Sequence, residues 1–287
     1  DARCLGQIDR GRVGRLDLTN QAVRDALLPF LQRSLSYAKA AQNIVKTVRP
    51  QLVLSVDLGY SPRGELFDVC LAAGLETITW NAAHKNNQLM LKRYSRANRD
   101  VHPASLSVRT WHDLQAQPWT HAERERLRRE LVGSYLSGEW YGEVGTQFHT
   151  TLQEAAEIRR ALDLDDRKKT AVIFSHIFWD GTFFYGTDLF GSYEEWFVET
   201  MKVACANPHL NWIVKIHPAN IVKNVRDGVG SEPSELTAIR SLGETLPAHV
   251  RVVQPDSHMS TLSLYSVIDY CVTVRGTVGI EAACFGI

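Results

Sequence analysis

Apolar residues follow two alternating patterns along most of this chain. Short apolar runs such as 52–56 and 170–174 predict buried strands of a parallel sheet. Longer stretches with apolar side chains at helical spacing, such as 21–48 and 193–207, predict amphipathic helices, and we expect Pro29 to kink or split the first of them. Because strands, polar loops and helices follow one another, the pattern indicates the α/β class.

The first half of the chain contains one predicted βαβ unit, in which Gly74 ends the helix. Its elements are the strand 52–56, the polar turn 59–64, the helix 65–73 and the strand 77–80. Periodicity then weakens, and 86–119 is expected to be an aromatic and basic loop that lines an acceptor groove, contacts anionic lipid or is plain surface. The charged pattern of residues 120–134 predicts a helix with a solvated face.

The second half repeats the α/β pattern after a boundary predicted near 165–168. Four strands are expected, at 170–174, 212–216, 250–254 and 270–274. A polar loop follows each of them. Helices are expected at 193–207, 235–246 and 261–268, and another begins near Thr277. The predicted domains are therefore 1–165 and 166–287.

Composition and charge exclude several classes of protein. Lys+Arg and Asp+Glu both count 32, so no global basic excess points to nucleic acid. The five cysteines form no CxxC pair, and no stretch approaches the ~20 apolar residues of a membrane span. We expect a cytoplasmic chain that can still dock on the cytoplasmic face of a membrane. We also expect both domains to be incomplete, because the first residue is Asp and the last predicted helix has barely begun.

Four loops that follow strands in the second half carry the candidate chemistry: "SHIFWDG" (175–181), "KIHPAN" (215–220), "PDSHMST" (255–261) and "RGTVGIE" (275–281). Loops at the carboxyl ends of parallel strands meet on one rim of a sheet, so these four should converge. They offer five groups suited to phosphate, namely the cationic or donor side chains of Lys215, His217 and Arg275 and the hydroxyls of Ser175 and Thr277.

Other residues of these loops suit the rest of a nucleotide-sugar ligand. Glu281 either caps the amides at the start of its helix or accepts hydrogen bonds from sugar hydroxyls. Gly276 and Gly279 would let an anion approach the backbone. We expect His176 and Asp180 to contact the donor sugar, and the 255–261 loop to hold the base through its backbone.

The segments "WIVKIHPAN" and "PDSHMSTLSLYSVIDYCVTVRGTVGIEAACFGI" resemble the capsule-polysaccharide-biosynthesis family, bacterial GT-B glycosyltransferases related in layout to Kdo transferases and bacterial sialyltransferases. "SHIFWDG" and "GYSPRGELFDVCLAAG" fit the same pattern, so the resemblance covers most of 50–287. It implies two Rossmann-like domains facing across a cleft, with the acceptor side in 1–165 and the nucleotide-sugar site in 166–287. It also implies that His217-Pro218 contacts the donor phosphate, that Thr277 and Glu281 receive the nucleotide, and that no metal or other cofactor is obligatory.

The resemblance implies transfer of a sugar from a nucleotide-sugar donor to a growing surface or capsular polysaccharide or a glycolipid acceptor. Such transfer needs a base for the acceptor hydroxyl, and Asp57 and Glu65 are the candidates, with Asp57 favoured because it ends a strand. Peripheral contact with the inner membrane is expected. Three alternatives stay open, namely a polyol-phosphate transferase, a nucleotide-sugar 2-epimerase and a non-catalytic scaffold for polysaccharide export.

Overall fold

The computed structural model of the chain describes residues 18–56, 58–83, 88–137, 151–178, 189–221, 232–243 and 245–287. The described residues up to 117, with 189–192, form one compact unit, which we call the first unit. Those from 118 to 178 and from 193 onward form the second unit. The α/β class is confirmed, and the parallel sheet is compatible with a Rossmann-like fold.

The first unit is built on a three-stranded sheet in the order β1-β2-β3. Its elements are α1 (Gln21–Val48), β1 (Leu52–Ser55), α2 (Arg63–Ala72), β2 (Glu76–Ala82), β3 (Leu89–Tyr94), a short 3-10 turn (Arg96–Asn98) and α3 (Val108–Gln115). The predicted βαβ unit is confirmed, because β1 and β2 pair in parallel with Leu52 opposite Glu76. Pro29 lies inside α1 and does not split it.

The expectation that 86–119 is a loop is wrong for β3 and α3. β3 pairs antiparallel with β2, so that Trp80 lies opposite Leu91 and Thr77 opposite Tyr94. A strand of six residues gains its stability from this pairing rather than from its own periodicity, which is too short to be read in the sequence. Tyr94 then packs edge-on against Phe67 of α2, with ring centroids 5.3 Å apart, in the core of this unit.

The second unit holds a four-stranded, fully parallel sheet in the order β6-β5-β4-β7. Its elements are α4 (His121–Ser137), α5 (Ala155–Ala161), β4 (Thr170–Phe174), α6 (Tyr193–Ala206), β5 (Asn211–Lys215), α7 (Ser234–Ser241), β6 (Val250–Val253), α8 (Thr261–Leu264), β7 (Tyr270–Val272) and α9 (Val278–Cys284). All four predicted strands are present. The helix predicted for 261–268 ends at Leu264, earlier than its apolar pattern indicates.

The strand order creates a switch point between β4 and β7. β4 and β5 are buried along their whole length, as continuous apolar runs in a two-faced parallel sheet should be. From β4 the chain moves outward to β5 and β6, and it then crosses back so that β7 pairs with the other side of β4. Loops that leave β4 and β7 therefore diverge and open a crevice at the carboxyl ends of these strands, the usual position of ligands in such sheets.

The division between the units falls at 117/118, earlier than the predicted boundary at 165/166. α4 and α5 belong with the second sheet, because Tyr135 and the fully buried Ile158 lie in one core cluster with Val172. Because both helices are rich in charged residues, the sequence pattern does not reveal that each has a single buried apolar residue packed against this core. Along the part of the chain that the structure describes, no helix combines the length and apolar character needed to cross a bilayer.

We predict that Ile158→Ala destabilises the protein by about 2–5 kcal/mol, because it leaves a cavity beneath the second sheet. Chemical denaturation measured by circular dichroism and by tryptophan fluorescence will test this. Val203→Ala is the control, since Val203 is 61% exposed on α6 and its loss should change the free energy of unfolding by less than about 0.5 kcal/mol. Equal effects of the two substitutions would contradict the packing of α5 against this core.

Candidate functional site

A cleft that opens to solvent lies in the second unit at the carboxyl ends of β4, β5 and β7. This is the switch point of the sheet. Eight of the residues singled out in the sequence line it: Ser175, His176, Lys215, His217, Pro218, Gly276, Thr277 and Glu281. The predicted convergence of the loops after β4, β5 and β7 is therefore present.

Two other predicted residues, Arg275 and Glu65, are not among the described residues that line the cleft, and two more are not described. Arg275 belongs to the turn between β7 and α9. Glu65 lies in the first turn of α2 in the first unit. Asp57 and Asp180 lie outside the described residues, so their roles stay predictions.

Lys215 places a buried positive charge in the cleft. Only 8% of the residue is exposed, and its Nζ donates a hydrogen bond to the carbonyl of Met259 at 3.1 Å. Among the described residues, no carboxylate lies within 4.0 Å of this ammonium. Burial lowers the pKa of Lys215 to about 8, so the group is still cationic at pH 7. An ammonium carries three donors, and two of them remain for a ligand.

His217 supplies a neutral donor beside Lys215. Its Nδ1 accepts a hydrogen bond from the backbone N–H of Ala219 at 3.1 Å, which places the ring proton of the neutral form on Nε2. Burial, together with the charges of His176 and Lys215, lowers the pKa of His217 to about 4. The imidazole is therefore neutral at pH 7, and Nε2–H is its one donor.

Ser175 and Asn220 hold the backbone of His217 in place. The Ser175 hydroxyl accepts from the His217 N–H at 3.0 Å, and the Asn220 side-chain amide donates to the His217 carbonyl at 3.2 Å. Both side chains also hydrogen-bond Glu235. The Ser175 hydroxyl therefore braces the loop after β5, and its role as a phosphate ligand remains a prediction. His176, beside it, stacks on Tyr193 with ring centroids 4.0 Å apart.

Glu281 is a braced acceptor, only 7% exposed, on the first turn of α9. Its Oε2 accepts hydrogen bonds from the hydroxyl of Tyr135 and, at 3.4 Å, from that of Tyr265. No described residue hydrogen-bonds Oε1. Burial and the carboxylate charge raise the pKa of both tyrosines, which keeps their hydroxyls protonated as donors. Of the two roles considered for Glu281, the capping of helix amides is wrong, because its carboxylate is held by tyrosines.

Tyr135 and Glu235 are site residues that the sequence analysis missed. α4 is so rich in charge that its solvated face dominates the pattern, yet Tyr135 is the single Phe, Tyr or Trp among its 17 residues. That isolated aromatic side chain was the available signal. Glu235 follows Pro233 at the start of α7, where a carboxylate is usually explained by the helix dipole alone.

The two glycines after β7 have a packing role. A Cβ at Gly276 would lie 2.9 Å from Oγ1 of Thr273, and a Cβ at Gly279 would lie 3.0 Å from Cγ2 of the same residue. Both positions therefore exclude side chains so that Thr273 can sit beneath the turn. Close approach of an anion to this backbone stays a prediction, and α9 with seven residues contributes little dipole of its own.

Glu65 is less suited to act as a base than its position in the sequence indicates. Burial raises the pKa of its carboxyl, but hydrogen bonds from the Ser34 and Ser61 hydroxyls outweigh burial and bring the pKa below its ordinary value. The bond from Ser61 is 2.7 Å long. A carboxylate stabilised in this way accepts a proton less readily.

No protein-family model matches this chain, and no curated protein matches it either. The assignment of a function consequently rests on the geometry of the cleft and on the resemblance of its loops.

We predict that the stability of the wild-type protein rises relative to that of Lys215→Met between about pH 8 and the ordinary lysine pKa of 10.5. Below this window the ammonium is protonated in both states and its burial costs the folded state. Within it, the unfolded chain holds more protons, so the wild-type free energy of unfolding gains about 3 kcal/mol that the variant cannot gain.

Denaturant titrations across this pH range will measure the difference between the two proteins. Lys202→Met is the matched control, because Lys202 is exposed on α6 and pairs with Glu199 at 2.6 Å. Parallel pH profiles for the wild type and Lys215→Met would mean that the Lys215 ammonium is not buried as described.

Proposed function

We propose that this chain is a glycosyltransferase that moves a sugar from a nucleotide-sugar donor to a growing surface or capsular polysaccharide or a glycolipid acceptor. The observation that carries the proposal is the cleft at the switch point, where a buried ammonium and a braced carboxylate line the same cavity. A nucleotide sugar is complementary to this pair, because its diphosphate is anionic and its ribose offers hydroxyl donors.

Lys215 and His217 form the proposed phosphate subsite. A buried ammonium without a carboxylate partner among the described residues is costly to the protein, so it gains strongly from an anion that enters the cleft. The neutral Nε2–H of His217 adds a donor whose strength does not depend on pH near neutrality. We assign Thr277 and Arg275 to the same phosphates, and His176 to the donor sugar, on the basis of their loops.

Glu281 forms the proposed ribose subsite. Two tyrosine hydroxyls fix Oε2, so the orientation of Oε1 is set before a ligand arrives, and this pre-organisation lowers the entropy lost on binding. A carboxylate oxygen can accept hydrogen bonds from two neighbouring hydroxyls, which favours ribose over 2′-deoxyribose.

The chemistry that we propose requires no metal ion. The nucleoside phosphate that leaves during transfer gains negative charge, and Lys215 and His217 are positioned in advance to stabilise it. The acceptor hydroxyl must lose a proton, and we assign this step to Asp57 rather than Glu65, because hydrogen bonds from serine hydroxyls weaken Glu65 as a base. Acceptors carried by lipid would bring the protein into peripheral contact with the inner membrane.

We predict a crossed pattern of binding when two variants are titrated with three ligands. Calorimetry of CMP, CDP, UDP, GDP and ADP first identifies the preferred base. Lys215→Met should weaken both that nucleotide and inorganic pyrophosphate by about tenfold or more, whereas Glu281→Gln should weaken the nucleotide by about tenfold and leave pyrophosphate unchanged.

The 2′-deoxy form of the preferred nucleotide is the matched ligand control. It should bind the wild type more weakly than the ribonucleotide does, and Glu281→Ala, which removes the acceptor, should bind the two forms equally. A wild-type protein that binds neither pyrophosphate nor any nucleotide would overturn the proposed function in favour of a non-catalytic role.

We predict that Asp57→Asn abolishes sugar transfer and changes nucleotide affinity by less than about twofold, because only the acceptor step needs the base. The assay combines the nucleotide sugar of the preferred base with surface polysaccharide fragments or lipid-linked sugars and identifies products by mass spectrometry. Glu65→Gln is the comparison and should retain transfer. A phosphodiester product would instead identify a polyol-phosphate transferase, and a 2-epimer formed without acceptor would identify an epimerase.

A further inference from the structure

Glu235 is a fully buried carboxyl group directly behind the His217 loop, here defined as residues 216–220. It is the second residue of α7 and none of its surface is exposed. The Asn220 amide donates to its Oε1 at 2.9 Å, and the Ser175 hydroxyl donates to the same oxygen at 3.4 Å. Oε2 is buried with no hydrogen-bond partner among the described residues.

The two side chains that bond Glu235 also hold both backbone polar groups of His217. Ser175 accepts from the His217 N–H, and Asn220 donates to the His217 carbonyl. Each therefore has one contact to His217 and one to a single oxygen of Glu235. The carboxyl group lies at the centre of a clamp that fixes the direction of the imidazole.

This clamp favours the neutral carboxylic acid over the carboxylate. One oxygen accepts two hydrogen bonds, as the carbonyl oxygen of an acid does, while the other has none of the donors that a buried anion requires. An acid leaves its hydroxyl on Oε2 unbonded, which costs far less than an unsatisfied buried negative charge.

We propose that Glu235, as a carboxylic acid, is the positioning residue of the phosphate subsite and that loss of its proton weakens anion binding. The proposal rests on the proposed function, because it concerns how the same cleft holds the donor phosphate. Through Ser175 and Asn220 the acid directs His217 toward the anion, and an ionised Glu235 both disturbs that clamp and adds a negative charge behind the site.

The charges around Glu235 give the expected direction of the pH effect. Lys215 ends β5, with His217 two residues later, and His176 follows Ser175 at the end of β4; all three line the cleft. On the α7 side, Glu232 is partly exposed and bonded to Arg240. Burial raises the pKa of Glu235 to about 7, against the lowering effect of hydrogen bonds from its own backbone N–H, from Asn220 and from Ser175.

Near pH 7, anion binding should therefore be accompanied by the uptake of a proton from solvent by Glu235. A bound anion stabilises the acid form, so the complex holds more protons than the free protein and affinity falls as pH rises. Lys215 and pyrophosphate itself also exchange protons near this pH, so the share of the proton uptake that belongs to Glu235 is the share that Glu235→Gln removes.

Calorimetry of pyrophosphate binding to the full chain tests this, in buffers with different ionisation enthalpies and between about pH 6 and about pH 8. The wild-type affinity should fall roughly three- to tenfold over this range, with proton uptake at pH 7. Glu235→Gln, which keeps an oxygen acceptor for Ser175 and Asn220 and cannot ionise, should lose most of that pH dependence and uptake. Glu232→Gln is the control and should behave as the wild type.

A second measurement needs no ligand. Amide exchange of the His217 N–H should be slow in the wild type and in Glu235→Gln, and about tenfold or more faster in Glu235→Leu, which removes the acceptor of the clamp. Unchanged exchange in Glu235→Leu would overturn the positioning role, and a Glu235→Gln variant as impaired as Glu235→Leu would show that the carboxylate is the working form.

The two experiments separate the two proposals. If the wild type fails to bind pyrophosphate or nucleotides, the proposed function fails. Amide exchange of the His217 N–H then remains as the test of whether Glu235 holds the His217 loop in place. If pyrophosphate binds with the same pH dependence in the wild type and Glu235→Gln, the proposed function stands and the role of Glu235 is refuted.

Discussion

The burial of the Lys215 ammonium at the end of a fully buried strand is the constraint that organises the second unit. β5 has no exposed residue, so its last side chain leaves the strand inside the protein rather than at the surface. The charge is satisfied in part by a backbone carbonyl and lies in a cleft with two neutral or anionic neighbours, His217 and Glu281. Removing a charge from water in this way reduces stability and increases the gain from an anionic ligand, a common exchange at functional sites.

Two buried glutamates in this unit experience opposite environments. Glu281 has tyrosine hydroxyls that donate to it and solvent on one side through the cleft, and this arrangement suits an ion. Glu235 is enclosed, shares one oxygen between two donors and leaves the other without a partner, and this arrangement suits an acid. Each glutamate has two donors on one oxygen, and the two differ in the other oxygen, which is buried without a partner only in Glu235. Burial of that second oxygen is therefore what favours the acid at Glu235.

The local pattern of the sequence determined most of the second sheet. Strands such as β4 and β5 are continuous apolar runs, and the loops after them could be placed on one rim without knowledge of any contact. The positions of Lys215, His217 and Glu281 in one cleft followed from that topology. In contrast, β3 and the role of Tyr135 depend on partners that are distant in the sequence. Local periodicity of apolar residues contains no information about such partners. The grouping of α5 with the second sheet likewise depends on a single buried residue, Ile158, in a polar helix.

The bond between Tyr135 and Glu281 joins residues 146 positions apart, at the beginning and the end of the second unit. Closing so long a loop is entropically unfavourable and is repaid only after the intervening strands have paired, so this contact should form late in folding. The proposed ribose subsite is therefore complete only when α9 has docked onto α4. Nascent or partly folded chains would contain the apolar core of the sheet but would lack the arrangement of Glu281 on which we propose that nucleotide binding depends.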